Sequence, residues 1–90
     1  MENRELKPGM ILAHCWGYSM TLYNFYKVLK INDKSMMLVK LQKQYIGGTQ
    51  NNMEVRPIDI EVDKPFRRGI KKFMGNLYDP NERYFEDHMD

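Results

Sequence analysis

Two neighbouring stretches of strand-forming residues constrain the fold of this sequence most. Residues 23–31 are rich in aromatic and β-branched side chains, and residues 35–42 are a second stretch of the same kind. Such side chains favour strands because they pack well on a pleated surface. The polar residues 32–34 that separate the two stretches are typical of a short turn. The sequence therefore predicts an antiparallel hairpin.

Three more extended stretches accompany this hairpin. Residues 10–16 are apolar except at His14, residues 53–62 alternate between apolar and polar towards their end, and residues 66–73 form a short basic stretch. Pro57 has no N–H to donate to a ladder, so the strand over 53–62 is predicted to be bulged or to lie at a sheet edge. We find no long pattern with helical periodicity.

Together these stretches predict a mainly β fold of four to five strands, either a small curled antiparallel sheet or an SH3-like barrel. The adjacent glycines at 47–48 predict a flexible loop over residues 45–52. We expect a β-barrel-like domain over residues 1–76 and an acidic C-terminal tail over 77–90, with at most a short helix within 81–89. The tail acids Asp79, Glu82, Glu86, Asp87 and Asp90 are expected to be mostly solvated.

Length and composition restrict the class of protein. Ninety residues with 42% hydrophobic side chains suit one small folded domain. The net charge of +2 is too balanced to indicate nucleic-acid binding by itself. Cys15 is the one cysteine, which favours a reducing compartment, and the first residues lack the apolar segment of a signal peptide. No apolar run reaches the roughly 18 residues of a membrane span. We therefore expect a cytoplasmic protein.

The sequence offers little for catalysis or metal binding. His14 and Cys15 are adjacent, and adjacent side chains of a strand point to opposite faces, so they do not form a thiol–imidazole pair. With His88 far away, the two histidines and one cysteine match no structural zinc spacing. No paired acid, base or nucleophile is evident. We predict a protein that is not an enzyme and needs no cofactor.

An aromatic group around the first strand is the first candidate for a binding surface. It consists of Trp16, Tyr18, Phe25 and Tyr26. Exposed aromatic side chains on a barrel can stack on bases or hold an extended peptide. The alternative is that two or three of them belong to the core. Strand alternation sends Phe25 and Tyr26 to opposite faces, so we expect one to be buried and the other to be accessible.

A basic cluster is the second candidate. Residues 64–72 contain Lys64, Arg67, Arg68, Lys71 and Lys72 and no acidic residue. Such a cluster can contact phosphates. The alternative is a solvated edge strand, whose charges discourage pairing with other sheets. As a continuous strand, the segment would place Arg67 with Lys71 on one face and Arg68 with Lys72 on the other.

One segment resembles a known family. The residues Trp16-Gly17-Tyr18, Thr21, Phe25-Tyr26 and Val28 match, in identity and spacing, the motif WGYxxTxxxFYxV of small uncharacterised proteins that phages, prophages and plasmids encode. The later Lys64-Pro65-Phe66-Arg67-Arg68 is similar to a Glu-Pro-Phe-Arg-Arg element of that family. The resemblance implies a mobile-element origin and no particular activity.

Two functions remain open from the sequence. The first is a non-enzymatic protein of a phage or other mobile element that contacts a host protein, for example as an inhibitor of a defence system. The second is a small nucleic-acid-binding barrel. A homo-oligomer with Met36 and Met37 in its contact is a further alternative. The predicted binding residues are Trp16, Tyr18, Tyr26, Arg67, Arg68, Lys71 and Lys72.

Overall fold

The predicted central hairpin is the middle of an antiparallel sheet in a computed structural model, which describes residues 6–17, 21–49, 52–73 and 75–87. The hairpin strands are β2 (Leu22–Ile31) and β3 (Ser35–Thr49). Asn32 fixes the turn between them, because its Oδ1 accepts hydrogen bonds from the Ser35 N–H at 3.0 Å and from Ser35 Oγ at 2.9 Å. A side chain that caps its own turn in this way sets the register of the strands that follow.

The remaining elements complete a mainly β fold. They are β1 (Ile11–Trp16), β4 (Asn52–Glu61), β5 (Phe66–Gly69), a 3-10 helix (Ile70–Lys72), β6 (Asn76–Leu77) and β7 (Tyr84–Glu86). Neighbouring strands follow the order β6-β1-β2-β3-β4-β7, and β5 pairs with β3. All pairings are antiparallel. The predicted curled antiparallel sheet is confirmed, with seven strands among the described residues where we expected four to five.

Both faces of the central strands carry a hydrophobic core. Because side chains alternate along a strand, Leu12 and Val28 point to one face, whereas Ala13 and Phe25 point to the other. The first core adds Met36 and Leu38 and is covered by Phe66, Ile70 and Phe73; the second adds Leu41 and Val55 and is covered by Tyr78 and Tyr84. Burial on both faces explains why residues 10–13 are apolar throughout, whereas Cys15 and Trp16, further along β1, are exposed. Since Met36 is buried in the first core, it is not available for the oligomer contact considered above.

The C-terminal segment joins the sheet. The short helix considered for residues 81–89 is not present up to residue 87, where Tyr84–Glu86 form β7 and pair with β4. An isolated antiparallel bridge between Thr21 and Asp87 then connects this end of the chain to the start of β2. Its two backbone hydrogen bonds measure 3.1 and 2.8 Å. The bridge curls the sheet because it brings the far strand back to the middle of the strand order.

Two sequence predictions fail at glycines and turns. Of the flexible loop expected over 45–52, residues 45–49 extend β3 to Thr49 with a bulge between Tyr45 and Gly47, and Asn52 begins β4, whereas residues 50 and 51 lie outside the described residues. The short basic strand or extended segment expected over 66–73 is a strand only as far as Gly69, after which the chain passes into the 3-10 helix. The prediction for Pro57 is confirmed, since β4 carries a register shift next to it.

Gly48 offers a test of the β3–β4 hairpin. Its φ of +105° lies in the left-handed region, and an added Cβ would collide with the backbone oxygen of Asn52. We expect Gly48→Ala to lower the free energy of unfolding by about 2 kcal/mol, the cost of a strained non-glycine conformation. Thermal unfolding measures this. Gly47→Ala is the control, because nothing lies within 4 Å of its added Cβ; equal losses in the two variants would contradict the prediction.

Candidate binding cleft

A cleft of about 410 Å³ opens beside the first core, between β1, β2 and β5. Strand alternation places its side chains. His14 and Trp16 share the β1 face that buries Leu12, while Asn24 and Tyr26 share the β2 face that buries Val28. Phe66 and Arg68 enter from β5, and Phe73 follows the 3-10 helix. The same face of each strand therefore carries core residues at one end and cleft-lining residues at the other.

Aromatic contacts give the cleft a fixed shape. The Tyr26 ring lies edge-on to Phe66, with centroids 5.6 Å apart, and edge-on to Phe73 at 6.0 Å. The His14 and Phe73 ring centroids are 6.1 Å apart. Edge-to-face pairs at these separations add about 0.5–1.5 kcal/mol each beyond the area that they bury. The wall that β1, β2, β5 and Phe73 form is thus preformed.

Asn24 connects the indole of Trp16 with the phenol ring of Tyr26. In the amide orientation that satisfies its neighbours, Oδ1 accepts hydrogen bonds from Trp16 Nε1 and from the Tyr26 hydroxyl, each at 3.2 Å, and Nδ2 donates to the Tyr23 carbonyl at 3.1 Å. Trp16 is nevertheless 45% exposed. Asn24 therefore holds a large, accessible indole in one position against the cleft.

The Asn24→Ala variant tests this positioning role. We expect it to lose about 1 kcal/mol of stability, the typical net value of a lost side-chain hydrogen bond, and to loosen the Trp16 side chain. Because Trp16 is the one tryptophan in the sequence, fluorescence reports on it alone. Acrylamide should quench the variant more strongly than the wild-type protein. Unchanged quenching would show that the indole is held by other contacts.

The cleft is cationic. The guanidinium of Arg68 lies 5.5 Å from the Phe66 ring centroid, within cation–π distance. No carboxylate is among the described lining residues. In the part of the chain that the structure describes, the ion pairs are Lys27–Asp59, Lys43–Glu86 and Arg83–Glu54, and none involves Arg68. Arg68 is therefore available to an anionic group that enters from outside.

The structure brings some of the predicted site residues together and separates others. Trp16, Tyr26 and Arg68 line the same cleft. Arg67 points to the opposite face of β5, into a second hollow of about 340 Å³ with Lys30 and Met37. Tyr18 lies outside the described residues, and so does the side chain of Lys72.

Lys71 is exposed on the 3-10 helix. The alternation that a continuous strand would give Arg67 and Lys71 does not reach Lys71, because the strand ends at Gly69. The side chain of Lys72, the expected counterpart of Arg68, lies outside the described residues. A 3-10 helix repeats about every three residues, and it does not continue the two-residue alternation of a strand. Arg67 and Arg68, which lie on opposite faces of β5, do not form one patch.

Sequence reasoning missed four lining residues. Three of them lie two positions from a predicted site residue on the same strand: His14 from Trp16, Asn24 from Tyr26 and Phe66 from Arg68. Residues two positions apart share a face of a strand, so alternation identifies these three once the predicted residues are known to face the cleft. Phe73 follows a change from strand to 3-10 helix that the sequence pattern did not indicate. The prediction that Phe25 and Tyr26 divide between faces is confirmed, with Phe25 fully buried and Tyr26 in the cleft.

A buried carboxylate forms a second polar centre, on the other face of the sheet. Glu86 has no exposed surface. Its Oε2 accepts hydrogen bonds from Lys43 Nζ at 2.6 Å and from the Tyr23 N–H at 2.8 Å, while Oε1 accepts from the Tyr45 hydroxyl at 3.1 Å. Burial raises the pKa of Tyr45, and the neighbouring Glu86 carboxylate raises it further, so the hydroxyl keeps the proton that it donates. This centre fastens β7 to the sheet.

The described residues contain no group of three histidine, cysteine or acidic side chains arranged to hold a metal ion. His14 lies in the cleft and Cys15 is exposed elsewhere, so the pair points apart as predicted. Across the same residues, no helix has the length and apolar character to cross a membrane. Comparison with protein-family models, with curated proteins and with solved structures found no match to this chain.

Proposed function

We propose that this chain is a non-enzymatic binding protein of a phage or other mobile element, which acts in the host cytoplasm by binding a host protein through the cleft. The mobile-element origin rests on the resemblance of the Trp16–Val28 segment to proteins of that kind. A component of a host defence system is one candidate for the partner. The cleft supplies the physical basis of the contact.

The observation that carries this proposal is the convergence of Trp16, Tyr26 and Arg68 on one preformed cleft. These three residue types are the most enriched among residues that dominate binding energy at protein interfaces. Aromatic side chains with few rotatable bonds give large contact area at low entropic cost. A half-exposed indole that is already held by Asn24 loses little further freedom when a partner covers it.

A small nucleic-acid-binding protein is the second candidate. The aromatic lining and the absence of a carboxylate among the described lining residues favour it. Against it, Arg67 and Arg68 point to opposite faces of β5, so Arg68 is the arginine that lines the cleft. A nucleic-acid strand needs a series of cationic contacts with its successive phosphates. We therefore rank protein binding first.

The test is affinity capture from host lysate with the wild-type protein, a Trp16→Ala variant and an Ile60→Ala variant as matched control. Ile60 is an exposed apolar side chain on β4, outside the cleft lining. We expect a host protein that the wild-type and Ile60→Ala chains retain and that Trp16→Ala loses. Capture of no specific protein, or of a protein indifferent to Trp16, would contradict the proposal.

A titration with oligothymidine at low and high salt decides the second candidate. Phosphate contacts release counterions, so such binding must strengthen as salt is lowered. Tight binding at low salt that the Arg68→Glu variant loses would place nucleic acid ahead of protein. We expect no binding of this kind.

A further inference from the structure

We propose that the cleft takes an extended segment of the partner protein, laid along the open edge of β5, with an acidic side chain on Arg68 and a large apolar side chain beside Trp16. This inference rests on the proposed function, since it names the part of a protein partner that the cleft recognises. Three features of the described residues support it: the free edge of β5, the charge of the cleft and the spacing of its contacts.

The edge of β5 is open to a further strand. Among the described strands β5 pairs with β3 alone. The Ile70 N–H donates to the Lys34 carbonyl at 3.0 Å, and hydrogen-bonded pairs recur at every second residue of an antiparallel ladder. The backbone groups of Phe66 and Arg68 therefore face β3, and those of Arg67 face outward. An extended peptide can add there through main-chain hydrogen bonds.

The charge of the cleft specifies an acidic group. Arg68 has no carboxylate partner among the described residues, and none lines the cleft. Its contact with the Phe66 ring restricts the guanidinium before a ligand arrives. A guanidinium can bind a carboxylate through two parallel hydrogen bonds, which fixes direction as well as charge.

The spacing of the cleft specifies the second side chain. In an extended segment, residues two positions apart point to the same face and lie about 6–7 Å from each other. When a carboxylate of the bound segment contacts Arg68, the side chain two positions along that segment therefore points further into the cleft. There the contacts are Trp16, Tyr26 and Phe73. A volume of about 410 Å³ accommodates one large side chain and its neighbour.

The test is selection of short random peptides, displayed on yeast, against three proteins: wild type, Arg68→Glu and Arg67→Glu. The two variants make the same charge change at adjacent residues whose side chains lie on opposite faces of β5. We expect the wild type to enrich peptides with Asp or Glu two positions from an aromatic or large aliphatic residue. Arg68→Glu should reverse the preference to Lys or Arg, and Arg67→Glu should keep the wild-type preference.

Main-chain docking has its own readout. N-methylation of the selected peptide at alternate residues should weaken binding at least about tenfold, or 1.4 kcal/mol, when the methylated amides face β5, and little at the residues between. Uniform effects along the peptide would overturn strand addition. Selection without acidic enrichment, or an equal shift in both arginine variants, would overturn the inference as a whole.

The failure of this inference is distinguishable from the failure of the proposed function. A host protein whose capture depends on Trp16, together with peptides that show no acidic preference, leaves the proposed function standing and rejects the acidic segment. Neither a host protein nor any enriched peptide rejects both. Displacement of a selected peptide by oligothymidine at low salt would assign the cleft to nucleic acid and overturn the inference.

Discussion

The Glu86→Ala variant is expected to lose about 3 kcal/mol of unfolding free energy, because removing one partner of a buried ion pair leaves the other charge uncompensated. Glu86 is fully buried, and the side chain of its partner Lys43 is 19% exposed. The substitution also leaves the Tyr23 N–H and the Tyr45 hydroxyl without this acceptor. For a domain of this size the melting temperature should fall by on the order of 15 °C. Thermal and urea unfolding measure the loss.

A surface ion pair provides the control. Lys27 Nζ lies 3.2 Å from Asp59 Oδ1, and the Asp59 side chain is 74% exposed. Asp59→Ala should cost less than about 1 kcal/mol, as exposed pairs usually do. Glu86→Gln, which keeps the shape and removes the charge, should fall between the two variants. Equal stability of Glu86→Ala and Asp59→Ala would show that the buried pair does not fasten β7.

The Trp16→Ala variant is expected to weaken partner binding by at least about 2 kcal/mol, or roughly 30-fold in Kd, as the loss of a central aromatic anchor does. The same substitution should cost less than about 1 kcal/mol of stability, because the side chain is 45% exposed and outside the buried core. Calorimetric titration with the captured host protein measures the affinity, and thermal unfolding measures the stability.

Ile60→Ala separates a specific anchor from general surface hydrophobicity. Ile60 is 51% exposed, slightly more than Trp16, and lies on β4. Its removal should leave the Kd within about twofold, since most interface and surface side chains are energetically near neutral. A comparable loss of affinity in both variants would place the contact elsewhere on the protein. A Trp16→Ala variant with unchanged affinity and a lowered melting temperature would show that the indole stabilises the fold and does not bind the partner.

The sequence predicted those parts of the fold that depend on local rules. The central hairpin follows from strand-forming residues on both sides of Asn32, and the separation of Phe25 from Tyr26 follows from alternation. The predicted aromatic group supplies part of the cleft lining through Trp16 and Tyr26. Alternation does not extend to Lys71, because it ends where β5 passes into a 3-10 helix.

Interactions between distant residues account for the rest. Glu86 looked like one more solvated acid in a polar tail, yet it is fully buried because β7 pairs with β4 and carries it to Lys43. The pair joins positions 43 residues apart, and no local pattern around either residue indicates it. Gly48 likewise predicted a loop, whereas it lies in β3, where its left-handed φ belongs to the paired end of the β3–β4 hairpin.

The attachment of β7 has a consequence for synthesis on the ribosome. Glu86 bonds the backbone of Tyr23 across 63 positions, and Asp87 pairs with Thr21. A nascent chain that has emerged only as far as the β3–β4 hairpin therefore lacks the strand that closes the second core, and Phe25 stays uncovered by Tyr84. We infer that folding is completed after translation has passed residue 87, and that the emerging chain exposes apolar surface until then.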